Sequence, residues 1–217
     1  MSHITLIRHG QANSDARTEE DYDRLSPLGH QQAAWLGAHM RSTGQHHVRL
    51  YTGTLRRHLE TATSMETGMT AVQDERLNEL QYFSLASAMQ EQHGLPMPNG
   101  HESFAQHLPQ VFTAWAEDRI KGAPETFASF EGRVQAALTE IAEGDGPALV
   151  VTSGGLISMV MRQHLNLEIP AMASLALAIM NTSMHRLFPV GGNWSPVMFN
   201  AIPHLEHPER HHAQTHV

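Results

Sequence analysis

Three times in this chain a short apolar run stops abruptly at a polar, glycine-bearing turn. Ile4-Thr5-Leu6-Ile7 runs into Arg8-His9-Gly10, Val48-Arg49-Leu50-Tyr51 into Thr52-Gly53-Thr54-Leu55-Arg56-Arg57, and Ala148-Leu149-Val150-Val151-Thr152 into Ser153-Gly154-Gly155. Short, β-branched runs bounded in this way read as buried strands. Helical segments lie between them. Ser26-Pro27 is a helix start, with the hydroxyl as N-cap and proline at the first helical position, and the helix is expected to stop before Gly44. Thr54 is expected to cap a helix opening at Leu55, with Leu55, Leu59 and Ala62 on one face, and a third helix is expected from Gly155 to about Leu165. Two late strands are expected near residues 185–188 and 197–200. Strands alternating with helices predict an α/β fold, a mostly parallel sheet covered on both faces.

In such sheets ligands bind beyond the carboxyl ends of the strands, so the three turns are expected to converge although they are far apart in sequence. Two arginines, a histidine, hydroxyls and two helix N-termini at one edge make an anion pocket, and phosphate is its expected occupant. No Walker-type phosphate loop is present.

Composition narrows the partners. The 217 residues carry 22 acidic and 14 basic side chains, a formal charge of −8, and a pI near 6.1, without the basic stripe that nucleic-acid binding needs. With no cysteine, disulfides, thiolate metal sites and cysteine nucleophiles are excluded. Seventeen histidines titrate near neutrality and make the charge sensitive to mild acid. The apolar start is shorter than a secretory h-region, and no run approaches the roughly 18 apolar residues of a membrane span. A cytoplasmic protein with no membrane partner is expected.

At the level of motifs, Leu6-Ile7-Arg8-His9-Gly10-Gln11 resembles the Arg-His-Gly signature of the histidine phosphatase superfamily, which includes the cofactor-dependent phosphoglycerate mutases. Leu25-Ser26-Pro27-Leu28-Gly29-His30-Gln31-Gln32-Ala33 resembles the family's next helix start, and Gly53-Thr54-Leu55-Arg56-Arg57-His58-Leu59-Glu60-Thr61-Ala62 its second arginine motif. Leu77-Asn78-Glu79 resembles the segment that supplies its acid, and Phe199-Asn200 followed by His204-Leu205 its closing strand. Four further motifs in order make a specific signal of a tripeptide that alone would be weak. The resemblance implies a phosphoglycerate mutase-like three-layer α/β/α sandwich over residues 1–217. The residues themselves lead us to expect a flexible, histidine-rich tail at about 206–217 and a lid insertion at about 83–130. That stretch, broken by Pro96, Pro98, Asn99-Gly100 and Pro124 around one helical segment near 103–120, fits the strand–helix rhythm poorly.

The resemblance also implies roles. His9 attacks phosphorus and forms a phosphohistidine, Arg8 and Arg57 hold the phosphoryl oxygens, and Glu79 serves first as acid and then as base, with no metal and no cofactor. Arg56 and Arg57 are about 100° apart on a helix, so one faces the pocket; physics leaves the choice even, and the resemblance assigns Arg57. Glu75 and Glu102 are the rivals of Glu79, the first expected on the surface and the second as a helix cap. Where the family usually has a second histidine this chain has Ser153, expected to donate to phosphate without bringing charge, and expected to tolerate replacement by histidine. Gly-Thr-Leu-Arg-Arg with Ser-Gly-Gly resembles a recurring subgroup. Asp15 stands where many relatives carry asparagine.

The expected function is a metal-independent phosphatase acting on a phosphorylated small molecule or a phosphoprotein. A phosphoglycerate-mutase-type transferase and a non-catalytic phospho-ligand-binding module are the alternatives. A metal-handling role for the C-terminal histidines is a weaker third reading, and a homodimer through an edge strand would be ordinary. Only 6% of the residues are aromatic, which suggests no stacking platform for a base.

Overall fold

The computed structural model describes residues 2–13 and 16–216, so the departure noted at Asp15 lies outside the described residues. Six strands form one sheet: β1 (Ile4–Arg8), β2 (Arg49–Thr52), β3 (Ala71–Gln73), β4 (Ala148–Thr152), β5 (Met184–Val190) and β6 (Asn193–Ala201), in the order β3-β2-β4-β1-β5-β6. The β3/β2, β2/β4 and β4/β1 pairings are parallel, while β5 and β6 close the other edge antiparallel.

The two central strands show why the sheet must lie between layers. Successive side chains point to opposite faces, and every residue of β1 and of β4 is buried. Ile4, Leu6, Ala148 and Val150 join one core with Phe112, Trp115, Phe130 and Leu156. Ile7, Leu149 and Val151 join a second with Ala33, Leu36, Met40, Ala62 and Met65. The second core is covered by α2 (Pro27–Ser42) and α3 (Arg56–Ser64), which follow the short helix α1 (Glu19–Tyr22). The first is covered by α4 (Tyr82–His93), α5 (His101–Ala116), α6 (Phe127–Glu143), α7 (Gly154–Leu165) and α8 (Ile169–Ala178). No helix among the described residues is long and apolar enough to cross a membrane.

Local chemistry explains most of the boundaries. Ser26 caps α2 through its hydroxyl, which accepts from the Gly29 N–H at 3.1 Å, and Pro27 opens the helix. Thr54, by contrast, caps nothing: α3 has Leu55 at its N-cap with no side-chain cap of its own. Its free N–H groups are met from a distance. Asn78 Oδ1 accepts from Thr54 and Leu55 at 2.7 and 3.3 Å, and the Asp23 carboxylate accepts from Arg56 and Arg57 at 2.9 and 3.2 Å.

Two expectations are corrected. The 83–130 stretch holds two full helices, α4 and α5, rather than one, and their Leu85, Met89, Val111, Phe112 and Trp115 belong to the same buried core as β1 and β4. The C-terminal segment was expected to fray and instead docks. Residues Pro208–Ala213 form a 3-10 helix, Ala213 is fully buried, and the Arg210 guanidinium lies 4.7 Å from the Trp35 ring centre. Gln32 Nε2 donates to the Ala213 carbonyl at 2.7 Å, and the Asn181 N–H to the Thr215 carbonyl at 2.8 Å.

Candidate active site

Parallel pairing brings three strand ends to one edge. Arg8 lies beside Thr152 and Thr52 beside Val151, so His9, Gly53 and Ser153 leave the sheet side by side. A fourth segment joins them from the loop after β3. The Thr152 hydroxyl donates to the Leu77 carbonyl at 2.7 Å, and the Arg133 guanidinium donates to the carbonyls of Arg76 and Asn78 at 2.8 and 2.7 Å, which fixes the backbone next to Glu79. A cavity of about 560 Å³ opens at this edge, and Arg8, His9, Arg57 and Glu79 all line it.

His9 is 1% exposed, and its N–H donates to the Thr152 carbonyl at 2.8 Å. Its Nδ1 lies 2.7 Å from the Gly10 carbonyl oxygen. A carbonyl only accepts, so Nδ1 carries the proton and Nε2 the lone pair. Burial, reinforced by Arg57, Arg8 and His58, holds the imidazole well below the usual histidine range. The ring is therefore neutral at physiological pH.

The two arginines are held differently. Arg8 donates through Nη1 to the carbonyls of Ile179 and His216. Arg57, 2% exposed, donates through Nη1 to Asp23 Oδ1 at 3.0 Å, with its guanidinium 5.0 Å from the centre of the Tyr22 ring. In both, Nε is buried and makes no hydrogen bond among the described residues. Two guanidinium groups lining one cavity give it the charge to hold an anion. Arg56 points away, exposed and paired with Glu60 one turn on at 2.6 Å.

Glu79 lines the same cavity as His9. Its Oε2 accepts from the Gly155 N–H at 2.8 Å and its Oε1 from the Leu80 N–H at 3.0 Å. Burial pushes its carboxyl above the ordinary range, against the opposing pull of the Gly155 N–H, Arg57, the Leu80 N–H and Arg8. A side chain at position 155 would meet that carboxylate, with a Cβ 2.5 Å from Glu79 Oε1, so glycine is required for the approach. Glu75 and Glu102 are both exposed and do not line the cavity.

Ser153 is placed differently from expectation. It is fully buried, does not line the cavity, and sets its Oγ 2.7 Å from Nε2 of His58. The His58 ring, also fully buried, lies 5.8 Å from the His9 ring, centre to centre. Sequence reasoning passed over His58 as part of a motif. The available signal was its adjacency to Arg57, which turns it some 100° around the helix, inward toward the strand ends. Asp23, Glu19 and Tyr22, all at or near this site, had no local signal; they arrive by tertiary packing. Among the described residues the C-terminal histidines form no group of three side chains able to hold a metal.

The family model of the histidine phosphatase superfamily (branch 1) matches residues 4–202. Among curated proteins no sequence matches. Solved structures with similar folds include a phosphoserine phosphatase mutant from Entamoeba histolytica in complex with phosphoserine (TM-score 0.71, 17% identity, 94% of this chain and 100% of that one). A phosphoglycerate mutase from Bacillus anthracis is similar at TM-score 0.68 and 21% identity, with 94% of each chain covered. A mycobacterial glucosyl-3-phosphoglycerate phosphatase is similar at TM-score 0.64 and 21% identity, with 93% of this chain and 99% of that one covered.

Proposed function

Because the chain belongs to the histidine phosphatase superfamily, we propose that it is a metal-independent phosphatase that hydrolyses a phosphomonoester through a phosphohistidine. The observation that carries this reading is a single cavity lined together by a neutral His9, its Nδ1 proton given to the Gly10 carbonyl, by Arg8 and Arg57, and by Glu79 with its raised carboxyl pKa.

In this reading Nε2 of His9 attacks phosphorus in line and splits one difficult displacement into two. Arg8 and Arg57 meet the negative charge spread over the equatorial oxygens. Glu79, with its carboxyl pKa raised, delivers a proton to the departing oxygen and then takes one from the water that releases phosphate. Ser153 acts on phosphate only through its neighbours, by fixing His58 and the start of α7, where the Gly155 N–H holds Glu79. The Ser-Gly-Gly segment thereby defines a variant of the site in which a histidine on α3 stands behind the serine.

The test is hydrolysis of p-nitrophenyl phosphate in EDTA by the native protein and by His9→Ala. Release by the native protein, lost in the variant, supports the reading. Labelling of His9 by a phosphoryl donor without hydrolysis, followed by transfer to a second alcohol, would make the protein a mutase-type transferase. Absence of both hydrolysis and labelling, with phosphate still bound, would make it a binding module.

A further inference from the structure

The cavity has a second half that phosphate chemistry does not use. Of the chain's seven Phe, three Tyr and three Trp residues, Tyr22, Tyr82, Phe83, Phe104 and Phe112 line this one cavity, together with Leu108. They form a path of rings from the nucleophile outward. Tyr22 meets His9 edge-on at 6.1 Å, Phe83 lies 6.2 Å from Tyr22, Tyr82 5.7 Å from Phe83, and Phe104 5.1 Å from Tyr82. The Tyr82 hydroxyl is engaged by His107 Nδ1 at 2.9 Å, and His107 is outside the lining, so Tyr82 offers the cavity its ring rather than its oxygen. A low aromatic content has been gathered at one place.

The charges around this wall decide what it excludes. Glu19 lines the cavity beside it, one carboxylate oxygen accepting from the Phe83 N–H at 2.8 Å, and Glu79 is near enough for the two carboxyls to repel. Arg8 and Arg57 face the phosphoryl end. Arg17 is exposed at the mouth, and His101 and His216 complete the titratable lining. A second anionic group on the substrate would be set against Glu19, while a ring would be met by rings.

We propose that the substrate is the phosphomonoester of an uncharged, ring-bearing alcohol, its ring seated between Tyr82, Phe83 and Phe104, and that esters carrying a second anionic group are discriminated against. This rests on the phosphatase reading above, and it deepens that reading by naming the leaving group.

The experiment is calorimetric titration of the catalytically inert His9→Ala protein with inorganic phosphate, 1-naphthyl phosphate, O-phosphoserine and 3-phosphoglycerate. The expected result is that all four compete for one site, with 1-naphthyl phosphate tighter than the two charged esters by about tenfold or more. Phe104→Leu, which keeps an apolar side chain and removes the ring, is expected to erase most of that advantage while leaving inorganic phosphate unchanged. Equal affinities for the three esters, or tighter binding of the charged ones, would overturn the substrate class and leave the phosphatase reading standing. Failure of inorganic phosphate and every ester to bind would overturn both. The ranking in the unsubstituted wall is decisive even if Phe104→Leu folds poorly.

Discussion

His58 Nε2 lies 2.7 Å from Ser153 Oγ, and both residues are fully buried. Among the described residues His58 Nδ1 has no hydrogen-bond partner, and it lies against Gly53, where any Cβ would collide with it. An orphaned N–H is rarer in buried sites than an under-used acceptor, so the ring proton is on Nε2 and is given to the serine. Ser153→Ala then leaves that N–H unmet, at a cost of roughly 1–3 kcal/mol, read by denaturant unfolding.

The same pair revises an expectation about histidine at 153. With no free space beside His58, Ser153→His overpacks the site and is expected to lower stability by about 1–3 kcal/mol and activity by more than Ser153→Ala does. Combining it with His58→Ser relieves the crowding, so the double variant is expected to be more active than Ser153→His alone. A double-mutant cycle in kcat/KM measures this; strict additivity would mean the two side chains do not share the space.

Asp23 joins α3 to the site by accepting from the Arg56 and Arg57 N–H groups and from the Arg57 guanidinium. Asp23→Ala is expected to destabilise the chain by about 0.5–2 kcal/mol as a lost cap. It is also expected to weaken activity less than Arg57→Ala, whose lost charge contact costs on the order of 10²–10³ in kcat. Steady-state kinetics and thermal unfolding of both variants separate the two effects.

The pH profile follows from opposite shifts. In the proposed mechanism the first step needs His9 neutral and Glu79 protonated. The lowered His9 pKa moves the acid limb of kcat/KM well below 6.5, and the raised Glu79 pKa carries the alkaline limb above 4.5. Activity is expected to fall as pH rises through the Glu79 pKa. Glu79→Gln is expected to lower kcat/KM by about 10²–10⁴ and to remove that alkaline limb, as compared on one substrate across pH 4–8 (a range chosen at roughly the span of these groups).

Stability has its own pH dependence. Burial pushes His185 and His204 down to about 3 and His47 to about 4, from 6.5. A base whose folded pKa is depressed contributes its full stability above the unfolded value and loses it as pH falls toward the folded one. The unfolding free energy is therefore expected to fall steeply between pH 6.5 and about 4, by up to roughly 1.4 kcal/mol per pH unit for each such histidine, and the melting temperature with it. A flat melting curve across that window would mean these rings are protonated in the fold.

What the sequence made legible was whatever the backbone itself dictates. Strand β4 and helices α2 and α7 follow the expected boundaries because an all-apolar strand, a Ser-Pro start and a strand-to-helix turn each leave one outcome. The strand ends in turn fix Arg8, His9 and Arg57 at one edge. Strand β3 was invisible: three residues with Val72 and Gln73 exposed leave no pattern. Helix α6 (Phe127–Glu143) also went unforeseen, and α5 carries Pro109 in its interior. Tertiary packing, with Phe130, Val134 and Leu138 buried, supplies what local signals lacked. In the site, His58, Asp23, Glu19 and the ring wall were unreadable for the same reason, since each owes its role to a neighbour far away in the chain.

The way Arg8 is held carries one more consequence. Carbonyl groups of Ile179 and His216 anchor it, and carbonyls carry no net charge, whereas Arg57 is paired with the Asp23 carboxylate. The fold thus keeps at Arg8 a positive charge, 8% exposed and in no salt bridge among the described residues, which desolvation penalises until an anion joins it. Inorganic phosphate should then act as a counter-ion for the entire chain, raising its melting temperature in proportion to the logarithm of concentration once binding saturates. The product of the reaction would be a thermal protectant and a competitive inhibitor by the same contact.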